Sequence, residues 1–335
     1  MEKSRTYPLT SVIIPTHNRP YTLKRAIKSV LSQTYPNIEV IVINDHSSSD
    51  LSEISRSMND ERVNFYDLEG KKGAQAARNL GISIAKGEFI AFLDDDDEFY
   101  PTKLMKQFQI FSNGAPELGL VYCGYIKKME SNQKLYEAKL PTVIENPRRA
   151  ILKSNFIGSC SYPMIRSKYL NKLNGFDETL ESAQDWDLWI RITQKYEIGY
   201  VCEYLVTYYI QRQSISSSYL KKVMGILKIL IKNYSNYIKY PAILSNQLNN
   251  LGFRLLLNNN YELANKFYLI SRKIQPNKFN SYFFMYLNTF ILNPFYCLFR
   301  KNLINVIFHF LKQKNFQARW LLKNKNYLNS INITT

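Results

Sequence analysis

An α/β fold, a mostly parallel central sheet flanked by helices with a helical extension at its C-terminal end, is what this sequence predicts, and three observations predict it. Short β-branched runs alternate with segments of helical period through the first 100 residues, as right-handed βαβ units require. One of those runs, Phe89 to Leu93, leads directly into Asp94, Asp95, Asp96, Asp97 and Glu98. From Tyr219 onward the alternation stops and the chain reads helical. With 335 residues, 45% of them hydrophobic and 14% aromatic, a large core is expected rather than a disordered chain.

Taken in order, Ser11 to Ile14 is a short strand broken by Pro15, and Leu23, Ala26, Ile27, Val30 and Leu31 follow at helical spacing. Ile38 to Ile43 is a second strand, ended by the turn and capping residues of Asn44 to Asp50. A weaker strand at Val63 to Tyr66 precedes a helix from about Gly73 to Ala85, and Phe89 to Leu93 completes the series. Gly119 to Tyr125 is a further apolar strand, and Trp186, Leu188, Trp189 and Ile192 mark a helix within Ser182 to Gln194. The irregular stretch between them, about 120–185, is where a second substrate's pocket is expected. Ligands of parallel α/β sheets bind at the carboxyl ends of the strands, which gathers Thr16, His17, Asn18, Asp45 and Asp94 to Asp97 at one edge.

Charge divides the chain. Residues 217–335 hold 17 Lys and Arg against the single acid Glu262, so +16 of the net +17 lies there, whereas residues 1–216 are nearly balanced. We read 1–216 as one domain and 217–335 as a basic, aromatic-rich helical region that meets an anionic membrane surface or the acceptor. Leu248 to Pro276 reads as a helical hairpin. Phe279 to Phe299 carries no charged residue, but Asn280, Asn288, Asn293 and Pro294 make it a poor spanning helix. It reads either as an interfacial segment or as a buried helical pair. Cys123, Cys160, Cys202 and Cys297 show no paired spacing, which argues against a zinc ribbon or a disulfide framework. Residues 1–20 contain no apolar stretch of signal-peptide length. A cytoplasmic protein, peripheral on the inner face of the cell membrane, is expected.

Four like charges in a row repel one another unless a hard divalent cation sits among them, so the acid run is a candidate metal site. Alone it fits a solvated acidic turn equally well. A G-x-G-x-x-G motif after the first strand is absent, which argues against a nicotinamide dehydrogenase. A nucleotidyltransferase would need a glycine-rich basic loop where this chain has Pro15 to Pro20. From another class, the basic tail admits a degenerate enzyme that binds nucleic acid or membrane.

Four segments together resemble the family 2 glycosyltransferases, inverting enzymes of the GT-A fold that use nucleotide sugars. They are Ser11 to Arg19, Ile41 to Ser47, Gly73 to Gly81 with Phe92 to Pro101, and Gly175 to Glu178 with Gln184 to Trp189. The resemblance covers roughly residues 8–216. It implies a UDP-sugar donor, a Mg2+ or Mn2+ cofactor and a glycan or lipid-linked glycan acceptor in surface polysaccharide or lipopolysaccharide synthesis; nucleic acid is not implied. On this resemblance Asp96 ligates the metal and Asp94 or Asp95 contacts the ribose or supports the ligand, while Asp97 caps the following turn. Asp45 binds the base, although Asn44 stands where members usually have Asp. Pro15, Thr16 and Asn18 line the donor, and Arg78 neutralises phosphate or, alternatively, forms a helix-surface ion pair. Asp185 is the general base, with Gln184 replacing the usual Glu; Ser182 to Asp185 also fits a capping box. Trp186 and Trp189 would stack on the acceptor sugar. Many relatives place a metal-binding His within 208–216, where this chain has none; Arg212 is a candidate to meet the diphosphate instead.

Overall fold

β1 (Thr10–Thr16) is buried along its whole length. It lies between β2 (Ile38–Asn44) and β4 (Phe89–Phe92), pairing parallel with both, and β3 (Val63–Asp67) extends the parallel set beyond β2. A strand with neighbours on both edges and cover on both faces has no polar side, which explains the uninterrupted Val12-Ile13-Ile14 and Phe89 to Phe92 runs. These relations come from a computed structural model of the chain, which describes residues 7–48, 51–211 and 219–275. The 279–299 segment and Arg212 lie outside the described residues.

The connecting helices are built as their sequences require. α1 (Pro20–Leu31) opens with Pro at its first position, where a missing N–H costs nothing, and buries Leu23, Ala26, Ile27 and Val30. α2 (Ser52–Met58) is short and buries Ile54. α3 (Ala74–Ile84) packs on β1 so closely that a Cβ at Gly81 would overlap the Ile13 side chain.

Beyond β4 the sheet changes character. The elements in order are β5 (Glu98–Phe99), α4 (Lys103–Asn113), β6 (Leu118–Met129), β7 (Leu135–Lys139), α5 (Pro147–Lys153), β8 (Met164–Arg166), α6 (Ser167–Lys172), α7 (Gln184–Lys195) and β9 (Glu197–Ile210). The sheet order is β3-β2-β1-β4-β8-β6-β9-β5, with β7 beside β6. β8 runs antiparallel to both β4 and β6, β6 and β9 are parallel, and β5 is antiparallel to β9. The expected parallel sheet therefore holds for β3-β2-β1-β4 and gives way to a mixed half. β8 is too short, at three residues, for any periodicity to announce it.

The chain divides into two units, residues 1–243 and 244 onward. The first includes α8 (Tyr219–Lys232) and α9 (Tyr234–Tyr237). The second contains most of α10 (Pro241–Leu257) and α11 (Tyr261–Ile274), a hairpin in which the Ser245 and Ser271 hydroxyls meet at 2.8 Å and Gly252 lies against the Tyr268 ring. Among the described residues no helix is long and apolar enough to cross a membrane.

In the first unit, α7 is fixed at a buried ion pair. Asp187, with no exposed surface, accepts from Arg191 Nε at 2.8 Å and Lys232 Nζ at 3.0 Å, while Arg191 also donates to the Leu173 and Gly175 carbonyls, each at 2.7 Å. Breaking a buried pair costs far more than its net worth. Arg191→Met is expected to lower unfolding free energy by about 3 kcal/mol; urea melts that show a loss below about 1 kcal/mol would contradict this account.

Candidate active site

The parallel strands deliver their loops to one edge. The Asp45 N–H donates to the Thr16 carbonyl at 2.8 Å and the Leu93 N–H to the Ile13 carbonyl at 3.0 Å, so the ends of β1, β2 and β4 lie side by side. Pro15 is buried in β1 opposite Ile43. Asn18, at φ +55°, accepts from the Ser48 N–H and hydroxyl, and its own N–H donates to Ser47 Oγ. Its side chain thus stitches the β1 and β2 loops together. Asp45 is 4% exposed, and its two carboxylate oxygens accept from the Lys72 and Gly73 N–H groups at 2.7 and 3.0 Å. A carboxylate has about four lone-pair positions, so these bonds orient Asp45 and leave it able to accept from a ligand.

The acid run forms a turn between β4 and β5, closed by the Asp97 N–H donating to the Asp94 carbonyl at 2.9 Å. Each carboxylate has its own partners. Asp94 pairs with Arg78 Nη2 at 2.5 Å and accepts from Ser159 Oγ at 3.3 Å. Asp95 accepts from Thr16 Oγ1 at 2.7 Å and Arg19 Nη1 at 3.0 Å. The same Arg19 nitrogen lies 2.7 Å from Asp96, which also accepts from Gln211 Nε2 at 3.2 Å. Asp97 is fully buried and accepts from Ser161 Oγ and the Tyr209 N–H of β9. Its role is to tie the turn to β9. Burial, with Asp94 and Asp95 adding repulsion against the pull of Arg19, raises the Asp96 carboxyl to about 6. The Asp97 carboxyl is raised well above its ordinary value, by burial first and then by Asp94 and Asp96.

Arg78 is not a helix-surface residue. It is 7% exposed, sits over the Phe176 ring, and has its Nε buried without an acceptor among the described residues. An orphaned buried N–H is a place for a ligand's acceptor atom.

Asp185 lies in the first turn of α7. The capping box does not form: the N-cap is Ala183, at φ +62° and without a side-chain hydrogen bond. Asp185 instead accepts from Asn155 Nδ2 at 3.1 Å and the Trp186 N–H at 2.7 Å. Burial raises its carboxyl to about 6, against these two donors and the Arg78 charge, with Asp94 contributing repulsion. Arg78 and Asp94 therefore share a field with Asp185, although the segments are about a hundred residues apart.

Trp186 and Trp189 do not offer ring faces to a sugar. Trp186 is 8% exposed and Trp189 fully buried, and their Nε1–H groups donate to the Ile151 and Gly158 carbonyls. Helical spacing places such residues in a core as readily as beside a ligand, and here packing against α5 and the 155–160 loop decides it.

Residues the sequence did not single out complete the site. Asn155, Ser159 and Ser161 come from the irregular stretch and carry no recognisable period. Arg19 stood inside a quoted motif, but its partners are 76 and 77 positions away. From α8, Lys232 pairs with Asp177 at 2.6 Å, Lys228 donates to the Thr179 carbonyl at 3.0 Å and Lys221 meets Glu181 at 3.1 Å. A Cβ at Gly225 would come within 2.6 Å of the Ser182 carbonyl. α8 thus backs the loop that leads to Asp185.

Among the described residues no three His, Cys, Asp or Glu side chains converge to hold a metal. The donor set still fits a hard cation, because Mg2+ is commonly held by one or two carboxylates with phosphate and water completing its shell. Asp95 and Asp96 each place an oxygen within 3.0 Å of one cationic nitrogen.

A carboxyl raised on folding favours the protonated native state, so its contribution to stability is lost as pH rises from about 4, the unfolded value, through about 6. Asp185→Asn should consequently stabilise the protein above pH 7 by about 1–2 kcal/mol and make little difference at pH 4. Thermal melts across that range check it; equal shifts at both ends would contradict the raised carboxyl.

Residues 11–173 match the family described as Glycosyl transferase family 2. The chain is 37% identical over 195 residues to an uncharacterised glycosyltransferase of Rickettsia bellii, covering 56% of this chain but only 28% of that longer protein. It is 30% identical over 220 residues to WfgD of Escherichia coli, named a UDP-Glc:alpha-D-GlcNAc-diphosphoundecaprenol beta-1,3-glucosyltransferase, covering 64% of this chain and 82% of WfgD. The fold is similar to that of S. aureus TarS 1-349, solved in complex with UDP-GlcNAc, at TM-score 0.53 and 16% identity over 82% of this chain and 90% of that one. A carboxylate-lined strand edge, a Glycosyl transferase family 2 match and this fold agree: the chain belongs to glycosyl transferase family 2 and is a glycosyltransferase of the GT-A type.

Proposed function

We propose that the chain is an inverting transferase that moves a sugar from a UDP-sugar to a hydroxyl of a glycan acceptor. One observation carries this reading: the raised carboxyl of Asp185 shares the field of Arg78 and Asp94, which supports a general base beside a phosphate-binding edge. Ionised above about pH 6, Asp185 takes the acceptor hydroxyl's proton as that oxygen attacks the anomeric carbon. The bond from that carbon to the diphosphate oxygen breaks, its electron pair leaves with UDP, and a single displacement inverts the centre.

Asp45 accepts from the base's ring N–H, Pro15 and Thr16 lie beside it through main-chain atoms, and Asn18 holds their loop. Asp94 or Asp95 meets the ribose or supports the cation site, and Arg78 offers its free Nε–H to phosphate. Asp96 with Asp95 would hold Mg2+ or Mn2+, which supplies positive charge to the leaving diphosphate.

WfgD is named for a diphosphoundecaprenol-linked sugar acceptor, which supports a lipid-linked acceptor here and a role in surface polysaccharide or lipopolysaccharide assembly. Residues 1–216 would form the transferase domain and 217–335 the region that meets acceptor or an anionic membrane, on the cytoplasmic side. Lys221, Lys228 and Lys232 already serve the 177–183 loop, so the membrane contact falls to the remaining basic residues.

Calorimetric titration of the full chain with nucleoside diphosphates, in Mn2+ and then in chelator, should show metal-dependent binding of UDP. Asp185→Asn should keep UDP affinity and lose transfer by about 100-fold or more, and Asp96→Ala should lose the metal dependence of binding. Equal loss of UDP binding in both variants would contradict these roles. Vesicles containing anionic lipid should bind the full chain at low salt and release it at high salt; no binding at low salt ends the membrane assignment.

A further inference from the structure

We propose that Arg19 is a built-in placeholder for the divalent cation, one that gives up Asp95 and Asp96 when the cation arrives and passes to the diphosphate. The inference rests on the nucleotide-site reading above and adds to it an exchange of partners within this chain.

The geometry points to exchange. A single nitrogen, Arg19 Nη1, lies 3.0 Å from Asp95 Oδ1 and 2.7 Å from Asp96 Oδ2, the position between two carboxylates that a cation would take. A divalent ion and the guanidinium nitrogen cannot both occupy that position, and their charges repel. One of the two partners must yield, and the acids are the anchored ones. Asp95 is 6% exposed and tied to Thr16, and Asp96 is 17% exposed and tied to Gln211, in a turn already closed on itself. Arg19 is 43% exposed and projects from the residue just before α1. It can leave without uncovering core.

Arg78 cannot serve in this way. Its side chain is 9% exposed and held between Asp94 and the Phe176 ring. Once released, Arg19 carries five N–H donors in a fork suited to phosphate oxygens at the rim where the diphosphate would sit. Cation and nucleotide then help one another to bind: the cation frees Arg19 for phosphate, and phosphate holds Arg19 away from the carboxylates. Without nucleotide, Arg19 competes with the cation.

The test is Mn2+ binding to the full-length protein, read from the free-ion electron paramagnetic resonance signal, alone and with UDP, for wild type, Arg19→Met and Arg19→Lys. Arg19→Met is expected to bind Mn2+ alone about three- to tenfold more tightly than wild type. Its UDP affinity at saturating Mn2+ should fall by a similar factor, and Arg19→Lys should lie between. A residue that merely supports the fold would not move the two ligands in opposite directions, and thermal melts confirm that the variants are folded. Mn2+ affinity unchanged or weaker in Arg19→Met, with wild type binding Mn2+ and UDP, overturns the placeholder alone. UDP binding with no Mn2+ bound by any of the three proteins removes the cation and the placeholder together. Neither ligand bound by wild type removes the nucleotide-site reading itself.

Discussion

Carboxylates compelled into one turn are the constraint on which this structure depends. β4 is buried on all four of its residues and emits Asp94 to Asp97 at the sheet edge with no room to disperse them. Left alone, such a cluster would stay protonated or open the turn. The fold answers it with partners from elsewhere in the chain: Arg78 of α3 for Asp94, Arg19 from the end of the β1 loop shared by Asp95 and Asp96, and Ser161 with the β9 backbone for Asp97. Four segments separated in sequence are thereby drawn to one turn. Burial first, and then the repulsion of neighbouring acids, keeps the Asp96 and Asp97 carboxyls raised, a strain that the cation proposed above would relieve.

Much of this could be read from residue order because the relevant signals are local. The buried parallel strands announce themselves as apolar runs, and α1 and α3 as helical periods, so β1 to β4 and the acid turn they deliver were legible. Asp185 was singled out by its place in a motif, and its role stays a proposal. What stayed hidden depends on packing across long separations. Arg19 looked like any loop arginine until Asp95 and Asp96 were brought beside it. Trp186 and Trp189 sit at a spacing that suits a core or a sugar platform, and the Ile151 and Gly158 carbonyls settle them as core. The mixed half of the sheet hangs on β8, whose three residues carry no pattern.

The basic C-terminal third shows a charge pattern that has two uses. Read as a total, +16 over residues 217–335 suggests an anionic surface outside the molecule. Part of that charge is used within the chain all the same: Lys232, at the end of α8, reaches Asp177 and the buried Asp187, and Asp177 falls to about 2 because Lys232 and Thr179 outweigh the burial that would raise it. Sequence distance concealed this, since α8 lies some forty residues beyond the loop it supports. Counting charges gives a field; only placement says which charges are already spent on the chain itself.

That placement bears on the general base proposed above. A base must be held, yet its carboxylate must stay uncomfortable enough to want a proton. Asp185 satisfies both demands by being gripped weakly at the carboxyl, through one side-chain donor and one amide, and strongly behind it, where Asp187 is locked by Arg191 and Lys232 two residues on. Had the strong cations met Asp185 directly, its pKa would have dropped and it would be unsuited to the proposed role. Shifting the ion pairs by half a helical turn ties down the backbone while leaving the Asp185 carboxyl near 6. The left-handed Ala183 just before the helix, and the absence of side-chain space at Gly225 against Ser182, are then features of the same arrangement: α8 fixes where α7 begins, and where α7 begins sets the direction in which Asp185 faces.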